Sequence, residues 1–144
     1  MKAIIYFSGS RKQACKKIAN DIEGDHFEII NLHKKIKFAV FQMFYYGYLT
    51  FAKKEVKFES PDINFEEYDE IILVSPVWAG KASIFMSQYL KNHQFKNKDV
   101  TLISSSMGEN KNFFDSFNDL IDKSNNVVEH ISYIKGSIVY ERKV

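Results

Sequence analysis

Cys15 is the chain's one cysteine, so no internal disulfide can staple the fold, and the sequence suits a reducing compartment. No apolar run approaches the roughly 20 residues that a membrane-spanning helix requires. The N-terminus enters a strand-like segment directly, without the apolar stretch and small-residue cleavage site of a secretory signal. A net charge of +2 is too small to argue for a nucleic-acid surface. His, Cys and carboxylate groups nowhere recur at metal-ligand spacing, so no metal is expected, and His26 and His33 read as surface residues. No repeat, low-complexity tract or composition break divides the chain. What remains is a single cytoplasmic domain of 144 residues, long enough for a substantial core and with neither a membrane nor a nucleic acid as partner.

Aromatic side chains are plentiful, with 13 Phe and 8 Tyr. They imply either a large core or a site for a flat ligand. The organising stretch runs from Tyr68 to Phe85. Ile71 to Val74 is a continuous apolar run, as expected of a strand covered on both faces. Pro76 cannot donate to a ladder, so that strand is expected to stop near Ser75. Gly80 lets the following loop turn tightly, and Ile84, Phe85, Gln88, Tyr89 and Leu90 mark a helix. A buried strand, a loop and a helix form the unit that places ligands at strand carboxyl ends. Trp78 on that loop either flanks a planar, anionic ligand or caps the hydrophobic edge of the sheet.

The same unit opens the chain. Lys2 to Phe7 reads as a buried strand, and Cys15, Ile18, Ala19 and Ile22 mark one helical face. Between them, Ser8-Gly9-Ser10-Arg11-Lys12-Gln13 lies where a doubly wound fold holds phosphate, through hydroxyls and backbone N–H groups. Asp25 to Leu32, Val100 to Ile103 and Val127 to Ile134 read as further strands. A helix is expected from about Asn112 to Lys123, its face formed by Phe113, Phe117, Leu120 and Ile121. Phe38, Phe41, Tyr45, Tyr48 and Ala52 recur at helical spacing within residues 35–54. A core-facing helix explains that stripe best; a membrane-surface helix is disfavoured by its poor cationic face. Lys53 to Tyr68 reads as a polar surface connection.

Ser75-Pro76-Val77-Trp78-Ala79-Gly80 resembles the flavin-facing loop of the short members of the flavodoxin family, and the likeness extends over nearly the whole chain. That family wraps the phosphate of FMN in S-x-T-G-N-T. Here Ser8, Gly9 and Ser10 are kept, and Arg11, Lys12 and Gln13 stand where Gly, Asn and Thr would be. The helical face also begins about two residues late. The two cations either replace the missing donors or form a plain solvated turn. Ser104 to Asn110 resembles the family's second flavin-contacting loop in position and composition, with Ser105, Ser106, Met107 and Gly108 as its contacts. The aromatic segment 35–54 is similar to a helix that overhangs the flavin edge.

The resemblance implies an α/β fold of three layers: a flavodoxin-like, doubly wound, five-stranded parallel sheet ordered 2-1-3-4-5. It implies FMN held by Ser8 to Gln13, by Pro76 to Gly80 and by Ser105 to Gly108, in electron transfer or flavin-dependent redox chemistry with a redox partner that the sequence does not name. The alternative is a domain of the same fold that has lost or weakened its cofactor and acts through interactions. The net charge is unlike the acidic character usual in carrier flavodoxins. Only residues 135–144 follow the fifth strand, with Gly136 and β-branched Ile138 and Val139 among them, so the last helix is expected to be missing or reduced. The sheet face it would cover then needs the extended tail or a second copy of the chain, and a homodimer is slightly favoured.

Overall fold

The computed structural model describes residues 1–7, 13–31, 48, 58–78, 80–106, 112–134 and 137–143. In chain order the elements are β1 (Lys2–Phe7), α1 (Ala14–Asn20), β2 (Asp25–Asn31), β3 (Phe58–Glu59), β4 (Glu70–Trp78), β5 (Lys81–Ala82), α2 (Ile84–Asn92), β6 (Asp99–Ser106), α3 (Phe113–Asn118), β7 (Asn126–Ile134) and β8 (Ser137–Lys143). A single 3-10 turn, Phe65–Glu67, leads into β4.

All of the described strands join one sheet in the order β3-β2-β1-β4-β6-β7-β8, and β5 pairs with β4 off that path. The β2, β1, β4, β6 and β7 strands are parallel neighbours, with Ile5 opposite both Phe27 and Leu73 and with Leu73 opposite Leu102. The architecture is therefore α/β with a mostly parallel, mixed sheet. Count and order differ from a sheet of five, because β3, β5 and β8 add antiparallel partners to β2, β4 and β7.

Alternation along the inner strands divides the core between the two faces, as the period of two requires. Ala3, Ile5, Phe7, Ile71, Leu73, Val100 and Leu102 pack beneath α2 and α3, with Phe85, Tyr89, Phe113 and Phe117. Ile4, Tyr6, Ile72, Val74 and Ile103 pack on the other face with Cys15, Ile18 and Ala19 of α1. Helices thus lie on both faces. The α1 helix is held at its C-terminal end by His26, whose Nε2–H donates to the carbonyls of Ala19 and Ile22, each at 2.8 Å. Gly24, just before β2, adopts φ +145°, and a Cβ there would lie 2.5 Å from Ile4 Cδ1 and 2.8 Å from the Lys2 carbonyl oxygen.

Five expectations change. The β4 strand does not stop at Ser75. It runs on through Pro76 to Trp78, because its pairing with β1 ends at Val74 and leaves an edge there, where a proline is tolerated. The connection before β4 is not a plain surface run: Phe58–Glu59 pairs with β2, Ile63 is buried, and the Tyr68 hydroxyl donates to Asp25 at 2.7 Å. The tail forms β8 at the sheet edge rather than crossing a face, since β-branched residues beyond Gly136 suit a strand. Ile72, Val74 and Ile103 are all under 10% exposed within the single chain, so these strands do not present the bare apolar face on which a second copy was expected. The α3 helix also ends at Asn118, sooner than expected, although Ile121 beyond it is still buried. The aromatic segment 35–54 lies outside the described residues except for Tyr48, which is exposed.

Candidate functional site

The carboxyl ends of β1, β4 and β6 lie side by side. Tyr6 is opposite Val74, and Pro76 is opposite Ser105. From β1 the sheet proceeds to β2 on one side and to β4 on the other, so the strand order reverses at this point, the place where open α/β sheets hold ligands outside the strand ends. The segments 8–12 and 107–111 leave from this same edge, one after β1 and the other after β6. Ser8, Gly9, Ser10, Arg11, Lys12, Ala79, Met107 and Gly108 lie outside the described residues. Gln13, Pro76, Val77, Trp78, Gly80, Ser105 and Ser106 are described.

Beyond Pro76 the chain turns back in a tight hairpin, with Val77 opposite Ala82 and Trp78 opposite Lys81. Gly80 makes the turn at φ +77°, in the left-handed region that side chains disfavour. Trp78 is half-buried on this hairpin. Its ring meets Phe7 edge-on at 5.4 Å and 88°, and Phe85 at 6.1 Å and 79°. Phe7 and Phe85 stack on each other at 4.5 Å. Trp78 therefore closes the hydrophobic edge of the sheet at the point where the strand order reverses. Phe7, the last residue before the Ser8 segment, touches it directly. Sequence reasoning did not find Phe7 and Phe85 as the supports of Trp78; the signal was that both are large aromatics at the ends of elements flanking the motif.

Two buried serines fix the hairpin to α2. Ser75 Oγ accepts the Ser83 N–H at 2.9 Å and donates to the Pro76 carbonyl at 2.9 Å. Ser83 Oγ in turn accepts the Met86 N–H at 3.2 Å, as an N-cap does. Both serines are fully buried. The variant Ser75→Ala leaves the Ser83 N–H buried without its acceptor and is expected to cost about 1–3 kcal/mol. Urea unfolding measures this, and an unchanged midpoint would show that the hairpin does not depend on the link.

On the α1 face, Gln13 precedes the helix at φ 47° and ψ 48°, and its side chain does not cap the first turn. Cys15 is buried behind that turn, and burial pushes its thiol up to about 12, with a hydrogen bond to Ser105 acting in the opposite sense. The thiol is thus a neutral, inert packing group at ordinary pH. Ser105, half-buried at the β6 end, is the hydroxyl beside that thiol. Ser104 Oγ donates to Ser132 Oγ at 3.2 Å, and Ser106 sits half-buried at the strand end. The structure therefore brings Pro76, Val77, Trp78, Gly80, Ser105 and Ser106 to one edge, with Gln13 at the start of α1.

The same fold occurs in known proteins. A flavoprotein from Lactobacillus acidophilus NCFM, solved in complex with FMN, superposes with a TM-score of 0.69 at 21% identity, covering 91% of each chain. A protein from Bacteroides uniformis ATCC 8492, named as a candidate flavoprotein, gives 0.67 at 19% identity over 94% of this chain and 92% of its own. Another so named, from Bacteroides eggerthii DSM 20697, gives 0.66 at 15% identity over 94% and 87%. The likeness is one of fold. No protein-family model matches the chain, and no curated protein matches it in sequence. Among the described residues no group of acidic, histidine and cysteine side chains could hold a metal, and no helix is long and apolar enough to cross a membrane.

Proposed function

We propose that this chain binds FMN at the carboxyl edge of β1, β4 and β6 and serves in electron transfer or flavin-dependent redox chemistry. The observation that carries the reading is the convergence of three strand ends on the point of strand reversal, with Trp78 held there by Phe7 and Phe85. The FMN-bound fold relative adds to it. The residues present suit the group. The aromatic ring of Trp78 stands at the carboxyl edge of the sheet, and a hydroxyl- and cation-bearing segment, Ser8 to Lys12, follows the strand beside it. When bound, the isoalloxazine supplies the redox step, so no acid or base of the protein is needed. Ser8, Gly9, Ser10, Arg11, Lys12 and Gln13 would hold the phosphate. Trp78 would flank the ring, and the hairpin at Ala79 and Gly80 would offer backbone groups to its edge.

Titrating FMN into apoprotein while following flavin fluorescence tests the reading. Quenching is expected, and Trp78→Ala and Ser10→Ala should each weaken binding about ten- to a hundredfold, the worth of one good contact. No quenching up to about tens of micromolar FMN would favour the second reading, a domain of this fold that has lost its cofactor. The replacement of Gly, Asn and Thr by Arg11, Lys12 and Gln13 is what speaks for that alternative.

A further inference from the structure

We propose that Lys81 sets the reduction potential of the flavin beside Trp78 by favouring its negatively charged reduced form; this rests on the FMN reading above. Lys81 is directly opposite Trp78 in the hairpin, and opposed residues project on the same side with Cβ atoms roughly 4.5–5.5 Å apart. The ribbon that carries them is fixed by the turn at Gly80 and by the Ser75–Ser83 hydrogen bond. Lys81 is exposed, whereas Ala82, Ser83 and Ile84 after it are buried, so its ammonium stands at the rim where the apolar wall ends. Its flexible stem lets the charge reach a ring lying against Trp78.

That charge is uncompensated among the described residues. The two ion pairs found there, Met1 with Asp69 and Lys2 with Glu70, lie at the opposite, amino-terminal end of the sheet. Reduction adds two electrons from an external donor and one proton to the neutral oxidised ring, leaving a reduced ring with a single negative charge. A nearby cation stabilises only that product, and a group that distinguishes the two forms shifts the equilibrium between them. A group that bound both forms equally would shift nothing.

The test uses the full chain loaded with FMN, with dissociation constants measured for oxidised FMN and, under anaerobic dithionite, for reduced FMN. Lys81→Gln is expected to lose about tenfold of the preference for the reduced form. That factor corresponds to a potential lower by about 30 mV for a two-electron couple. Lys81→Arg should keep the preference. Lys91→Gln, which removes the same charge from the exposed far end of α2, should leave it unchanged. If Lys81→Gln weakens both forms equally, or neither, the proposal falls and the FMN reading stands. If Lys91→Gln shifts the preference as much as Lys81→Gln, net charge is responsible and the proposal falls. If the wild-type chain binds no FMN, both fall.

Discussion

Gly24→Ala is expected to remove about 3–5 kcal/mol of folding stability, a large part of the 5–15 kcal/mol typical of a domain. The backbone at φ +145° is open to glycine and strained for any residue with a Cβ. The new methyl group would also press to 2.8 Å from the Lys2 carbonyl oxygen and 2.5 Å from Ile4 Cδ1. Neither neighbour gives way cheaply. Lys2 belongs to β1, and Ile4 is fully buried beneath α1. Relief requires β2 to move off the strand it pairs with, through the register Ala3 to Asp25. Urea denaturation followed by circular dichroism measures the loss. A cost below about 1 kcal/mol would show that the turn before β2 relaxes without disturbing the sheet.

Phe85→Ala should be comparably damaging, and it links the core to the site. Phe85 is fully buried, stacks on Phe7 and meets Trp78 and Phe58 edge-on. Removing a ring so placed costs about 3–5 kcal/mol through lost burial and the cavity that remains. It also removes a ring that packs edge-on against Trp78. FMN affinity, measured at a temperature where the variant is folded, should therefore drop as well. Phe117→Ala is the control, because Phe117 is equally buried but packs against Phe113 on α3. It should lose similar stability and keep its affinity. Equal affinity losses in the two variants would mean that Trp78 does not depend on Phe85 specifically.

Period and burial made most of the architecture legible. Ile71 to Val74 and Val100 to Ile103 read as strands and are buried inner ones, and Cys15, Ile18 and Ala19 mark the face that α1 buries. Local rules failed where pairing partners decide. Pro76 argued for a strand end, yet a proline costs little once β1 has ended and the strand has an open side. The tail is too poor in helix formers to make a covering helix, but nothing local says whether it crosses the sheet face, leaves that face to a second copy, or takes the edge beside β7, where it pairs. Phe58–Glu59 is too short a strand for any pattern to reveal. At the site, the motif singled out Trp78, but the packing of Phe7 and Phe85 against it and the Ser75–Ser83 link come from contacts between elements.

The central position of β1 has a consequence for how the chain is made. Its two neighbours, β2 and β4, come from very different points along the chain. During translation β1 emerges before both neighbours and can meet β2 early, but its other edge waits until residues 70–74 have been synthesised. Parallel pairing between distant segments is slow, because the intervening chain must close before the contacts form. Phe7 and Ile5 are thus exposed on a nascent half-sheet until β4 and α2 arrive. A strand made early in this sheet thus keeps one edge open while more than 60 residues are added, and a chaperone that shields apolar nascent chain would have its natural target there.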